Sequence, residues 1–102
     1  MTPRVVFRPE ARRELLEARR WYEERIAGLG LEFARAVEGA IDAIREHPQS
    51  FRQVHGEHRR CLVRRFPYSV VYRPTSTEIV VIAVHHHRRA FLMARAHRLT
   101  SA

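Results

Sequence analysis

The sequence contains no lysine, only one cysteine, and no run of about 18 or more apolar residues that would cross a membrane as a helix. A single cysteine excludes an internal disulfide, and the apolar-rich run around Cys61 predicts an ordinary buried thiol. The start of the chain, Met1 to Arg8, lacks the charged-then-apolar order of a secretory signal. These absences argue against a disulfide-stabilised secreted domain. They predict a cytoplasmic protein without a membrane partner.

The positive charge of the chain comes from arginine and, when protonated, histidine. The 19 basic residues, all arginine, stand against 11 acidic residues, which gives a formal net charge of +8. A guanidinium group keeps its charge and binds a carboxylate or a phosphate through two parallel hydrogen bonds. An arginine-rich surface therefore favours an anionic partner, either nucleic acid or an acidic protein. A GC-rich genome that encodes arginine wherever lysine would serve is the other explanation of the bias.

The first half of the chain shows the periodicity of one strand and two helices. Val5 and Phe7 lie on one face at period two, which predicts a short strand that Pro9 ends. A first helix is predicted by apolar residues at three- and four-residue steps: Ala11, Leu15, Ala18, Tyr22 and Ile26. After Gly28 to Gly30, a second helix is predicted by Phe33, Val37, Ala40, Ile41 and Ile44. So short a link between two amphipathic helices predicts a hairpin.

The second half of the chain favours β-structure. After a predicted linker from Gln49 to His58, three strand-like runs follow, at Arg59 to Phe66, Ser69 to Arg73 and Glu78 to His86. Tight proline-bearing turns separate these runs, so consecutive strands are predicted to pair antiparallel. The stretch Ile79 to Val84 is apolar on both faces and predicts a central strand. The remaining segment, Arg88 to Ala102, predicts one more short helix through Phe91, Leu92 and Met93.

The predicted order is strand, helix, helix, strand, strand, strand. A chain of 102 residues fits one domain with one hydrophobic core. The fold class is therefore predicted to be α+β over residues 1–102, with the two-helix hairpin packed on an antiparallel sheet.

Four segments of this chain resemble a known family when they are taken in order. They are Val5 to Ala11, the helical hairpin, Val63 to Arg73, and His86 to Arg89, and together they resemble the toxins of the RelE/ParE superfamily. The resemblance implies the toxin of a type II toxin-antitoxin, or plasmid stabilisation, module that is neutralised by a cognate acidic antitoxin. It implies one of two targets, DNA gyrase for the ParE branch or messenger RNA on the ribosome for the RelE branch. It implies no cofactor.

Two positions bear on the choice between the branches. The resemblance implies that ribonuclease members of the family have an arginine at the start of the third strand and a tyrosine or histidine near the C-terminus. This chain has Ser69 and Met93 at about these positions. The resemblance therefore favours a ParE-like inhibitor of gyrase without catalysis of its own. A RelE-like ribosome-dependent endonuclease, with a variant set of arginines and histidines, is the alternative, and an inert partner-binding module is a third interpretation. No catalytic residue is assigned.

Basic and aromatic residues are the candidate contact residues. Strand alternation predicts that Arg60 and Arg64 lie on one face and that Arg59 and Arg65 lie on the other, unless the charges only protect a solvated edge strand. The candidates for toxicity or nucleic-acid contact are Arg60, Arg64, Arg65, Arg73, His86, Arg88 and Arg89. The candidates for antitoxin contact are Trp21, Tyr22, Phe66, Tyr68 and Tyr72.

Two residue patterns have both a plain and a functional interpretation. His85 and His87 lie two apart on one predicted strand face, but the sequence indicates no third ligand, so a metal site is not predicted. Trp21 lies beside the apolar stripe of the first helix. It either caps the hairpin or is exposed for a partner.

Overall fold

The computed structural model describes residues 2–88, which form two helices and five strands. The elements are, in chain order, β1 (Arg4–Phe7), α1 (Pro9–Arg25), α2 (Leu29–Glu46), β2 (Arg52–His55), β3 (His58–Leu62), β4 (Tyr68–Pro74) and β5 (Glu78–His86). The strands form one sheet in the order β1-β5-β4-β3-β2. Both helices pack on the face where alternate strand residues enter the core. The α+β fold with a helical hairpin is confirmed. No helix among the described residues is long and apolar enough to cross a membrane.

The hairpin is held by a close contact and a cap. A Cβ atom at Gly30 would lie 2.6 Å from the carbonyl oxygen of Arg19, so only glycine lets α2 begin this close to α1. The Glu23 carboxylate of α1 accepts the N–H groups of Gly28 at 2.9 Å and Gly30 at 3.0 Å. These donors would otherwise lack partners, because the first N–H groups of a helix have no acceptor within it. Glu23 therefore fixes the entry of α2 against α1.

The core contains most of both predicted helical stripes. Ala11 and Ala18 of α1 and Phe33, Val37 and Ile44 of α2 are buried, together with strand residues that include Val70, Tyr72, Ile79, Val81 and Val84. The exception is Ile26, which is 63% exposed. It follows the last residue of α1 in extended backbone and so leaves the helical face.

The sheet is mixed rather than wholly antiparallel. Strands β2 to β5 pair antiparallel in chain order, as predicted, whereas β1 pairs parallel with β5, with Val5 opposite Ile79. Strand β5 is therefore hydrogen-bonded on both sides, which agrees with its two-sided apolar sequence. Because β4 occupies one side of β5, the other side receives β1, the strand that precedes the helical hairpin.

Two predicted boundaries were wrong, and one prediction is outside the described chain. Strand β2, Arg52–His55, lies inside the segment predicted as a linker, and all four of its residues are exposed, so it has no apolar periodicity to reveal it. Strand β3 ends at Leu62 instead of Phe66, because residues 63–67 turn, with Arg65 at a φ of 66°. The helix predicted from Arg88 to Ala102 falls almost wholly outside the described residues.

Candidate functional site

The structure separates the candidate arginines into two groups. The first group, the sheet-face arginines, consists of Arg52, Arg60 and Arg73. Arg60 lies directly opposite Arg52 on β2 and opposite Val71 on β4, and Arg73 lies two residues beyond Val71 on the same face. This face is turned away from the helices, since the adjacent Cys61 faces α2.

The positive charges of the sheet-face arginines repel one another unless an anion binds between them. Like charges directly opposite each other destabilise a pair of strands. Within residues 2–88, none of the three makes an ion pair. Sequence reasoning missed Arg52 because it lies in the predicted linker, and the only signal available was its charge. The arrangement can bind a phosphate or a carboxylate.

The second group lies around a groove beside α2. Arg64 and Arg65 are in the turn after β3, and with Arg35 they line a groove of about 910 Å³ that we call the α2 groove. The rest of its lining is Glu32, Ala36, Gly39, Ala40, Ala43, Cys61 and Leu62. The prediction that Arg60 and Arg64 share a strand face is therefore wrong, because the strand ends before Arg64. The buried thiol of Cys61 was predicted, and burial raises its pKa.

Arg59 has a structural role on the helix side of the sheet. Its guanidinium donates to the carbonyl oxygen of Phe51 at 2.7 Å and to the Gln49 side chain at 3.1 Å. These bonds hold the segment between α2 and β2 against β3. Arg59 is thereby separated from Arg60, which lies on the opposite face.

Ser69, at about the position where the resemblance implies an arginine in ribonuclease members, is only 1% exposed. It lies between Leu62 of β3 and His85 of β5, which are its neighbours across the sheet. Its hydroxyl oxygen has no hydrogen-bond partner among the described residues. His85 faces the carboxylate of Glu14 at 3.5 Å. The side chain of Ser69 is too short and too buried to bind a phosphate group at the protein surface.

Aromatic candidates form a cluster between α1 and the turn after β3. The Tyr22 ring centroid lies 5.2 Å from that of Phe33, 5.0 Å from that of Phe66 and 6.2 Å from that of Tyr68. Burial raises the pKa of both Tyr22 and Tyr68. The cluster borders a groove of about 580 Å³, the aromatic groove, whose lining is Glu14, Glu17, Ala18, Trp21, Tyr22, Pro67, Tyr68, Val84 and His86.

Trp21 is the most accessible aromatic residue of the aromatic groove. Its side chain is 51% exposed, and the Arg25 guanidinium stacks on its ring at 3.6 Å from the centroid. Trp21 is therefore exposed, and its contact with a partner stays a prediction.

Tyr72 is a correction to the predicted antitoxin contacts. It is 0% exposed, and its hydroxyl donates to the carbonyl oxygen of Pro48 at 2.7 Å. Burial raises the pKa of Tyr72 to about 12. Because the side chain is wholly enclosed, Tyr72 serves the core and ties down the end of α2 instead of facing a partner.

The basic cluster at the end of β5 borders the aromatic groove. His86 is the last residue of β5, its ring lies 5.1 Å from that of Tyr68, and its Nδ1 accepts the N–H of Arg88 at 3.0 Å. Arg88 and His87 are exposed, whereas His85 is half-buried. Arg89 and Met93 lie outside the described residues. Among the residues that the structure describes, no group of three or more His, Cys, Asp or Glu side chains is placed to hold a metal ion.

Comparison with known proteins gives one family and one similar fold. The sequence profile of a family described as ParE toxin of type II toxin-antitoxin system, parDE, matches residues 5–91. No curated protein matches the sequence significantly. Among solved structures, the chain is similar to one described as the chromosomal ParDE TA system from P. aeruginosa, with a TM-score of 0.70 and 13% identity. The alignment covers 83% of this chain and 96% of that one. At this identity the likeness is one of fold.

Proposed function

Because the chain belongs to the ParE toxin family of type II toxin-antitoxin systems, we propose that it inhibits DNA gyrase and that an acidic antitoxin encoded beside it neutralises it. Inhibition requires the toxin to hold the enzyme without breaking a covalent bond itself. The observation that carries the choice of gyrase over messenger RNA is the burial of Ser69.

Ribonuclease chemistry places demands that the Ser69 position does not meet. Cleavage of RNA at a 2′-hydroxyl needs a base for its proton, an acid for the leaving oxygen, and cations around the phosphorus. The resemblance implies that the ribonuclease branch supplies one of these cations with an arginine at the start of the third strand. Here that position holds a neutral side chain that is 1% exposed.

A variant nuclease on the sheet-face arginines is the second candidate. Arg52, Arg60 and Arg73 supply the positive charge that a phosphate requires. Among the sites of the described chain, the sheet-face arginines are the one that best suits a contact with RNA. It gives cations without assigning a base or an acid, so gyrase inhibition remains the better supported function.

Charge supports the proposed antitoxin. Within residues 2–88, the only arginines in ion pairs are Arg4, with Glu78 at 3.1 Å, and Arg8, with Glu10 at 4.0 Å. The remaining guanidinium groups and the net charge of +8 favour association with a partner of opposite charge. The acidic antitoxin meets that requirement.

Two assays with the purified toxin test the target. We expect it to inhibit DNA supercoiling by purified gyrase and to leave a messenger RNA intact on programmed ribosomes. The double variant Arg60→Ala with Arg73→Ala serves as the comparison for the second assay. If the toxin cut the message and the double variant did not, while supercoiling continued, the nuclease alternative would replace gyrase inhibition.

A further inference from the structure

The net charge of the chain comes entirely from its second part. Residues 1–46, which contain β1 and both helices, carry nine arginines and nine carboxylates and so have no net charge. Residues 47–102 carry ten arginines against two carboxylates, Glu57 and Glu78, and this difference is the whole +8. Glu78 is already paired with Arg4 at 3.1 Å. The helical layer is therefore balanced in charge, whereas the part of the chain that forms β2 to β5 attracts anions.

The fold leaves three arginines of this basic part on the outer face of the sheet. Seven of its ten arginines lie among the described residues. Arg59 is bonded on the helix side of the sheet, Arg64 and Arg65 line the α2 groove, and Arg88 follows the end of β5. The other three are the sheet-face arginines. The only carboxylate in β2 to β4 and their turns is Glu57, between β2 and β3, so these guanidinium groups lack balancing charge.

The sheet-face arginines form a row that crosses three strands. Arg60 of β3 lies directly opposite Arg52 of β2. Arg73 of β4 lies diagonal to Arg60, because Val71 is the residue opposite Arg60. Adjacent strands are about 4.8 Å apart, so the row is about 10 Å long. One strand of duplex DNA carries a phosphate about every 3.4 Å along its axis, so the row can face about three successive phosphates.

The face lacks the large aromatic rings that bind unpaired bases. Proteins that hold single-stranded nucleic acid stack its bases on tyrosine, phenylalanine or tryptophan. Strands β2 to β4 contain two such residues, and both face the helices instead. Tyr72 is 0% exposed, and the ring of Tyr68 packs 4.9 Å from that of Phe33. The cations suit RNA and DNA phosphates equally, but the missing rings favour a duplex, whose bases are already stacked.

The face also lacks the kind of depression that anchors a protein partner. Protein interfaces depend on a few side chains that are buried in pockets near the centre of the contact. The α2 groove and the aromatic groove, which could receive such side chains, include none of the sheet-face arginines in their linings. Phosphates need only exposed cations. A nucleic-acid backbone therefore fits this surface better than an acidic protein does.

We infer that the sheet-face arginines bind the phosphate backbone of duplex DNA. Arg52, Arg60 and Arg73 contact successive phosphates, which holds the toxin on the duplex without reading its sequence. The phosphates also remove the repulsion between these arginines. This contact lets the toxin hold DNA and gyrase together, a step that rests on the proposed function. The DNA contact itself rests on the charge distribution and on the geometry of the face.

Salt-dependent binding of a labelled DNA duplex, measured by fluorescence anisotropy, tests the contact. We expect wild type to bind with a Kd of about 10⁻⁶ to 10⁻⁴ M at physiological salt. The sheet-face pair, Arg60→Ala with Arg73→Ala, should weaken binding at low salt by about tenfold or more and reduce the slope of log K against log salt by about 2. The α1 pair, Arg13→Ala with Arg20→Ala, removes the same charge from exposed positions and should leave the slope nearly unchanged.

A third variant protects the test against a folding defect. Arg52→Gln removes one charge from an exposed residue of the edge strand β2 and should reduce the salt slope by about 1. It should not lower the melting temperature, because it also relieves the repulsion with Arg60. If the sheet-face pair is unfolded, Arg52→Gln alone decides, and an unchanged slope in that variant overturns the inference.

Three other results would overturn the inference. Wild type that does not bind the duplex at low salt would refute the contact, and equal weakening by the sheet-face pair and the α1 pair would show attraction by overall charge. Single-stranded RNA that binds more tightly than the duplex, through the same arginines, would make RNA the ligand. Polyglutamate that displaces the labelled duplex as well as unlabelled DNA does would make an acidic protein the ligand.

The supercoiling assay separates this inference from the proposed function. If the toxin binds the duplex through the sheet-face arginines but leaves gyrase active, the DNA contact stands and gyrase inhibition fails. If the toxin inhibits gyrase but does not bind the duplex, gyrase inhibition stands and the DNA contact fails. If both hold, we expect the sheet-face pair to inhibit supercoiling less than the α1 pair does.

Discussion

The carboxylate of Glu14 accepts a hydrogen bond from the backbone N–H of Val84 at 3.0 Å, joining α1 to β5 across 70 residues of sequence. Strand β1 covers this edge of β5 only as far as Val81, which also accepts the N–H of Arg8 at 3.0 Å. Val84 lies beyond that point and is buried. The Glu14 side chain therefore replaces the strand partner that β1 is too short to supply.

We expect Glu14→Ala to lower the free energy of unfolding by about 1 to 3 kcal/mol, because it leaves a buried N–H without an acceptor. Glu14→Gln should lose less, since its amide oxygen can still accept. Urea denaturation of the purified variants measures the difference. Glu17→Ala, on the exposed face of the same helix, should change stability by less than about 0.5 kcal/mol. Similar losses in Glu14→Ala and Glu17→Ala would show that the bond to Val84 does not stabilise the fold.

The two glycines of α2 are expected to respond oppositely to alanine. Gly30→Ala should destabilise the protein by about 1 to 3 kcal/mol, because the new methyl group meets backbone at 2.6 Å. Gly39→Ala should stabilise it by about 0.5 to 1 kcal/mol through the unfolded chain and helix propensity. Thermal unfolding measures both, with a shift of about 4 to 8 °C per kcal/mol for a domain of this size. A loss of stability in Gly39→Ala would mean that the groove is already filled by this chain.

Stability is expected to fall at alkaline pH through Tyr72. Its folded pKa is about 12, raised by burial from 10.0. The unfolded tyrosine thus loses its proton first, so its contribution is complete below about pH 10 and disappears as the pH rises through about 12. The full effect is about 2 to 3 kcal/mol. Urea denaturation of wild type at pH 8 and pH 11 measures the fall.

Tyr72→Phe is the control for this pH dependence. It should cost about 1 kcal/mol at pH 8, because the hydrogen bond to Pro48 is lost. It should also flatten, but not abolish, the alkaline slope, since burial raises the pKa of Tyr22 and Tyr68 as well. An unchanged slope would assign the alkaline sensitivity to other groups.

The basic cluster after β5 is expected to contribute to toxicity rather than to folding. The double variant Arg88→Ala with Arg89→Ala is predicted to keep its melting temperature within a few degrees and to inhibit growth less at equal expression. An exposed charge such as that of Arg88 contributes little to folding but much to a charged interface. His86→Ala should weaken toxicity less, since a guanidinium binds an anion through two parallel hydrogen bonds and an imidazole does not. A folded, fully toxic double variant would mean that the functional surface lies elsewhere, at Arg60 or at Arg64. The structure places these two residues on different parts of the molecule.

Local periodicity was enough to predict the elements that face the core. The stripes from Ala11 to Tyr22 and from Phe33 to Ile44 each lie on one side of a helix, so the sequence shows the side that packs. The two-sided apolar run of β5 likewise predicted a strand covered by neighbours. Strand β2 has no such pattern because none of its residues is buried, and hydrogen bonding to β3 alone makes it a strand.

The sequence by itself determined the family, the helical hairpin, the interior position of β5 and the excess of arginine, because each follows from the order and type of residues along the chain. Only the tertiary structure decided that β1 joins β5 in parallel, that Arg52, Arg60 and Arg73 meet on one face, and that Arg64 and Arg65 turn toward α2. It also decided that Tyr72 is enclosed while Trp21 is half-exposed. Strand register and the end of a strand depend on partners far away in sequence, and a shift of one residue moves a side chain to the opposite face.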